Sequence, residues 1–154
     1  MNATTISAEA GTGHLQQLEQ LVLAMPMART LGLKFKRLAP GEVELEIPVL
    51  EAFTFRPGQL QATAVFALAD FAAVAAAGTL LAPGWLNATV DATLKLVAPA
   101  QGALLRARGR VVSAGRLLTV CAADVFAVSA AGEEALCATL LGTARNIDNT
   151  PRTP

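Results

Sequence analysis

Between Pro57 and Val90 the chain carries a single charged side chain, Asp70. It sits in the alanine-rich run Leu60-Gln61-Ala62-Thr63-Ala64-Val65-Phe66-Ala67-Leu68-Ala69-Asp70-Phe71-Ala72-Ala73-Val74-Ala75-Ala76-Ala77, and from Gln59 to Leu81 there is no polar helical face. A helix that is apolar all round has to be enclosed by the rest of its protein. The run therefore predicts a buried helix over 59–81 and demands an apolar surround for it. A carboxylate at its centre is expensive to desolvate, so Asp70 either has partners or does chemistry. The run also approaches the ~20 residues of a membrane span. Against that reading, Asp70 costs roughly 2.5 to 3.5 kcal/mol on insertion scales and alanine offsets little of it.

Elsewhere the periodicity is that of strands. Glu42-Val43-Glu44-Leu45-Glu46-Ile47 alternates acid with aliphatic, the pattern of a strand with one wet face, and Ala39-Pro40-Gly41 before it reads as a turn. Leu33–Leu38 and Glu42–Val49 are expected to form a hairpin. Beyond the helix, which Pro83-Gly84 should close, lie alternating segments over 88–97, 103–112, 117–128 and 133–143, separated by the turn-like 99–102, 113–115 and 129–132. Short turns imply antiparallel neighbours. Upstream, Leu15, Leu18, Val22 and Met25 recur at helical spacing until Pro26. The expected organisation is one domain over 14–146, with flexible ends at 1–13 and 147–154. Its class is α+β, a curved antiparallel sheet wrapped around one long buried helix.

Composition narrows the partners. Twelve basic and twelve acidic residues leave a formal net charge of zero, so nothing draws the chain toward nucleic acid or anionic lipid. With 53% hydrophobic and only 16% charged residues, part of the apolar surface is expected between subunits, in a homodimer or a dimer of dimers. Met1 to Ser7 has neither a basic start nor an apolar core, so no signal peptide is read and a cytoplasmic setting is expected. Pairing across a turn at 129–132 would set Cys121 opposite Leu140, away from Cys137, so both cysteines are read as core thiols.

From about Leu15 to Thr143 the sequence resembles the hotdog fold, and within it the phenylacetate-type acyl-CoA thioesterases. The resemblance rests on Leu31-Gly32-Leu33, Ala39-Pro40-Gly41, Leu96-Val97-Ala98-Pro99-Ala100, Val111-Val112-Ser113-Ala114-Gly115-Arg116 and Ala138-Thr139-Leu140-Leu141-Gly142-Thr143. Leu68-Ala69-Asp70 matches the helix motif whose acid is catalytic in that family. Two features depart from the pattern. Where the family usually has His-Gly-Gly, beginning nine residues before the acid, this chain has Gln61-Ala62-Thr63. The preceding loop, Phe53-Thr54-Phe55-Arg56-Pro57-Gly58, lacks the usual Asn.

The resemblance implies hydrolysis of an acyl-CoA, with no cofactor beyond the coenzyme A of the substrate. Asp70 would activate water or attack the thioester carbonyl; the alternative is a structural aspartate in a subunit seam. The backbone N–H of Ala62, at a helix start, would meet the developing oxyanion. Gln61 can donate a hydrogen bond but cannot titrate near neutrality, and it reads equally well as a polar residue at a helix start. Thr89 falls where some relatives carry a hydroxyl that orients water across the dimer. Strict alternation puts it on one strand face with Asp91, Thr93 and Lys95, which a solvated face explains equally well. Arg106, Arg108 and Arg110 share a strand face and Arg116 follows in the next turn; guanidinium groups suit the phosphates of coenzyme A. A wet face balanced by Glu42, Glu44 and Glu46 is the favoured reading of that stripe.

Residue supply removes other chemistries. With His14 the only histidine and no Gly-x-Ser-x-Gly, a Ser-His-Asp triad has no base, and hotdog hydratases likewise need a histidine beside their acid. Two separated cysteines and one histidine do not make a metal site. No Gly-rich phosphate loop occurs. Two functions stay open: a thioesterase, and a protein that binds acyl-CoA without turning it over.

Overall fold

Alanine content sets how close the sheet and helix lie. In the structure, a computed structural model that describes residues 3–151 and side chains from Gly13 onward, helix α3 (Ala62–Gly78) buries Ala64, Val65, Leu68, Ala69, Ala72, Ala73, Ala76 and Ala77 against the sheet. Leu45, Ile47, Leu105, Val125 and Leu140 answer from the strands. Methyl-sized side chains let backbones approach. The approach is tightest at Gly109, where an added Cβ would collide with the carbonyl of Ala72.

The remaining elements are α1 (Ala3–Ala24), α2 (Pro26–Leu31), β1 (Lys34–Ala39), β2 (Glu42–Pro48), a 3-10 turn (Glu51–Phe53), β3 (Thr54–Arg56), β4 (Gln59–Leu60), β5 (Trp85–Leu96), β6 (Leu104–Ala114), β7 (Leu118–Val128) and β8 (Glu134–Asp148). Six strands form one antiparallel sheet in the order β1-β2-β6-β7-β8-β5, and β3 with β4 forms a small ribbon. This is the α+β arrangement expected. Among the described residues no helix is long and apolar enough to cross a membrane.

Several expectations need correction. Helix α1 begins at Ala3, well before the His14 at which its apolar face becomes readable; it ends at Ala24, before Pro26 as expected, and Pro26 then opens α2 at its first turn, a position that needs no N–H. Gln59 and Leu60 belong to a strand and not to the long helix. At the other end β8 continues to Asp148, two residues past the expected domain end, and Asn146 is buried. Its amide donates to the Gly115 carbonyl at 2.8 Å and to Thr119 Oγ1 at 3.1 Å, closing the β6–β7 turn.

The short link 97–103 does not pair β5 with β6. It carries the chain past β8 and β7, three strand spacings of about 4.8 Å each, so β5 pairs only with β8 and forms an edge. Between β7 and β8 the register places Cys121 opposite Gly142 and not Leu140, the pairing having shifted at Val125/Phe126. Both cysteines remain free and buried.

Helix α3 is not covered all round by its own chain. Ala62, Thr63 and Phe66 are exposed while Asp70, Phe71 and Val74 are half-buried, a stripe at helical spacing that the sheet leaves open. On the adjoining edge Leu86 and Val90 are exposed as well.

Candidate active site

Two stations on α3 carry the predicted residues. At its start the β3–β4 ribbon delivers Gln61, whose N–H donates to the Phe53 carbonyl at 2.9 Å and whose own carbonyl accepts from Ala64 and Val65. That geometry makes Gln61 the residue before the first turn, with its side chain free of any capping bond. The next amide, that of Ala62, is one of the first-turn N–H groups for which a helix has no internal partner. Gln61, Ala62 and Thr63 line an open cavity of ≈ 700 Å³ together with Phe55, Leu96 and Pro99. Among the described residues, the one bond to the Gln61 amide oxygen is a long one from Thr63 Oγ1, at 3.4 Å.

Two turns further along, Asp70 stands in the wall of a second cavity, of ≈ 540 Å³, between α3, α1 and the first half of β5. Its Oδ1 accepts a hydrogen bond from Thr89 Oγ1 at 2.8 Å. Burial raises the Asp70 pKa above the ordinary aspartate value, and the Thr89 hydrogen bond offsets part of that. Below it on β7 the Cys121 thiol is pushed up to about 11, by burial first and by the Asp70 charge second. A thiol held so high is a poor nucleophile at neutral pH.

Thr89 reaches Asp70 because β5 is bulged. Its pairing with β8 runs Thr89 to Ala144 and then Asp91 to Thr143, leaving Val90 as the extra residue. A bulge breaks the alternation of faces. Asn87 and Thr89 therefore point at α3 before it, and Ala92 and Leu94 pack toward the core after it. One expectation is corrected by this: Thr89 does not share a face with Asp91, Thr93 and Lys95, and its hydroxyl bonds Asp70 of its own chain.

The fold has counterparts among solved structures. A thioesterase family protein from Silicibacter pomeroyi is similar over 88% of this chain and 98% of its own, at 32% identity and a TM-score of 0.84. The chain belongs to the thioesterase superfamily. Further structural matches of this chain are a phenylacetic acid degradation-related protein of Ralstonia eutropha JMP134, at 25% identity, 86% and 98% coverage and a TM-score of 0.72, and a Haemophilus influenzae thioesterase, at 21%, 89% and 92%, and 0.76. The last of these speaks to the fold alone. No protein-family model and no curated protein matches the sequence. The fold is the hotdog, and membership supports thioester hydrolysis as the general chemistry.

The arginine stripe lies elsewhere in the chain. On β6 the odd positions Leu105, Ala107 and Gly109 are buried toward α3, so Arg106, Arg108 and Arg110 project from the opposite face of the sheet. Arg106 is bonded to Glu46 and Glu134, and Arg108 to Glu44 and Glu134, both at 2.8 Å. Arg110 reaches Asp124 at 3.2 Å. The sheet thus separates the stripe from Asp70 within one protomer and gives each of its guanidinium groups a carboxylate. Arg116 stands exposed between β6 and β7, with no ion pair among the described residues. No three His, Cys, Asp or Glu side chains among those residues are grouped to hold a metal ion.

Asn87, Trp85 and the α1 side chains in the Asp70 cavity were missed from sequence. Asn87 donates to the Val74 carbonyl at 2.9 Å and fixes β5 against α3. Its one signal was its place two residues before Thr89.

Proposed function

We propose that the protein hydrolyses an acyl-CoA thioester at sites shared by two copies of the chain, Asp70 coming from one copy and the Gln61-Ala62 helix start from the other. The observation that carries this reading is the distance between the two stations. Eight residues of helix separate Ala62 from Asp70, about 12 Å at 1.5 Å per residue, and the two cavities share no lining residue. One carbonyl cannot meet both in a single protomer. The open stripe of α3 beside the unpaired edge of β5 supports a second copy, whose contact would also cover the exposed apolar residues there.

In this reading Asp70, ionised, takes a proton from water as the water oxygen attacks the thioester carbon. The carbonyl oxygen becomes an oxyanion and accepts hydrogen bonds from the Ala62 N–H and the Gln61 amide of the facing copy. Collapse breaks the carbon–sulfur bond, and the proton held by Asp70 returns to the departing thiolate, giving a free acid and coenzyme A. Direct attack by Asp70, through an anhydride that water then opens, uses the same residues.

A panel of acyl-CoA thioesters, assayed for released thiol, tests the proposal. Turnover that disappears in Asp70→Asn supports it; turnover retained in that variant removes Asp70 from the chemistry. Light scattering should give a dimer or larger, and a monodisperse monomer at micromolar concentration contradicts a shared site. A second reading is favoured by Gln61, which cannot act as an acid or base: binding without turnover. Intact acyl-CoA carried through purification, seen by mass spectrometry with no hydrolysis in the panel, would select it.

A further inference from the structure

We infer that the side-chain amide of Gln59 is a further oxyanion donor of the site, and that Arg56 is the positioning residue that turns its N–H bonds toward the substrate carbonyl. The inference rests on the thioester-hydrolysis reading and adds to it two residues of the β3–β4 ribbon.

Gln59 stands two residues before Gln61 on extended backbone, so alternation puts both on one side of β4 while Leu60 enters the core. The backbone around them is clamped. Leu60 N–H donates to the Ala100 carbonyl at 3.0 Å, Gln61 N–H donates to the Phe53 carbonyl at 2.9 Å, and Gln59 itself pairs with Gln101. Arg56, opposite Gln59 in the ribbon, donates from Nε to Gln59 Oε1 at 2.6 Å. Its guanidinium lies over the Phe55 ring, 5.2 Å from the centroid, and meets no carboxylate among the described residues.

An amide accepts at one end and donates at the other. With Oε1 taken by Arg56, Nε2 is turned away from it and has no partner among the described residues. Gln59 is only 8% exposed, yet no fully covered side-chain nitrogen or oxygen among those residues lacks a hydrogen bond, so Nε2 opens onto free space. The space that Gln59 lines is the cavity of Gln61 and Ala62. A second copy seated over it would bury Nε2 further, and a buried donor without an acceptor is costly; the thioester carbonyl supplies the acceptor. An oxyanion donor helps most when it is set in place beforehand. Gln61, exposed and held by one 3.4 Å contact, is not fixed in that way, whereas Gln59 is. The Arg56 cation also polarises the amide through Oε1, which strengthens the donor at Nε2. A positive charge thereby reaches the oxyanion, which neutral Gln61 does not provide.

Two measurements on the wild-type protein and its variants test this. One is turnover of the best thioester of the panel; the other is binding heat with the matching S-alkyl coenzyme A thioether, which has no carbonyl oxygen and is not hydrolysed. In Gln59→Leu kcat should fall by at least about 100-fold, while thioether affinity stays within about twofold of wild type. Gln59→Glu keeps the shape and the bond from Arg56 but replaces the donor by an acceptor, so it should fold as wild type does and lose turnover to the same degree. In Arg56→Met the amide is free to turn over; kcat should fall by less than in Gln59→Leu with KM unchanged, and Arg56→Lys, which returns a cation and a donor, should recover part of the loss. Turnover within about threefold of wild type in Gln59→Glu overturns the donor role. Thioether affinity that falls in parallel with turnover in Gln59→Leu puts Gln59 on the coenzyme A arm and overturns it too, as does a monomeric Gln59→Glu by light scattering, which would make Nε2 a subunit contact. Thioether affinity lost in Arg56→Met puts Arg56 on a phosphate and overturns its positioning role. Each of these leaves hydrolysis by Asp70 standing. Absence of wild-type turnover across the whole panel overturns the hydrolysis reading and this inference with it.

Discussion

The outer face of the sheet and the groove beside α3 treat charge in opposite ways. On the outer face Glu134 is bonded by Arg108 and Arg106, which hold its carboxyl below the ordinary glutamate range, Arg108 contributing most. In the groove, burial lifts Asp70 above the ordinary aspartate range and one hydroxyl is its hydrogen-bonding partner. Surface charges that are mutually neutralised hold strands in register and have no reactivity to offer. A carboxylate left without a cation in an apolar wall is destabilised as an anion, and that makes it a better proton acceptor.

The largest test of this contrast is Asp70→Asn. Loss of a general base typically costs 10²–10⁴-fold, so kcat/KM should fall by at least about 100-fold. Stability should move the other way. Because the folded-state pKa of Asp70 is raised, the folded protein holds the proton more tightly than the unfolded chain, and stability declines as pH rises from the unfolded value of about 3.9 through the folded one. At neutral pH the asparagine variant, which lacks that penalty, should melt no lower than wild type in calorimetry. A marked fall in melting temperature would instead make Asp70 a structural residue.

Thr89→Val comes next. It removes the hydrogen bond that lowers the Asp70 pKa, so the acidic limb of the kcat/KM profile should move to higher pH, with a several-fold loss near the limb and recovery at alkaline pH. An unmoved limb would show that Thr89 does not tune the carboxylate.

Arg106→Met probes the other region. It leaves Glu46, only 9% exposed, without its main partner and Glu134 with Arg108 alone. A loss of about 1–3 kcal/mol is expected, several degrees in melting temperature for a chain of this size. Turnover of acyl-CoA should stay within twofold of wild type. A large rise in KM would restore the stripe as a phosphate site. Smallest of all should be the effect of 1 M salt on melting through exposed pairs such as Arg37–Glu42, at 2.9 Å, since such pairs are worth little and screening removes most of it.

These contrasts were unevenly readable beforehand. The Glu44–Arg106–Arg108 face could be foreseen because alternation of charged and aliphatic residues is a local property of each strand. Asp70 could be singled out because a lone carboxylate in an alanine-rich helix is costly wherever that helix lies. Thr89 was misplaced onto the wet face, since the bulge at Val90 depends on how β5 pairs with β8, far away in sequence. The buried Asn146 was missed for the same reason: its partners Gly115 and Thr119 come to it only when β7 and β8 are aligned. That α1 lines the Asp70 cavity was equally hidden, because an amphipathic helix declares that it packs and not what it packs against.

The sequence by itself determined a helix that had to be enclosed, the antiparallel strands able to enclose it, and the acid that enclosure would perturb. Period and desolvation are properties of a short stretch of chain, so a short stretch reveals them. Tertiary structure decided that β5 crosses to the far edge of the sheet, that its bulge turns Thr89 toward Asp70, and that about 12 Å of helix separates Asp70 from Ala62. Each of these depends on which distant strands meet and in what register, which no local pattern encodes.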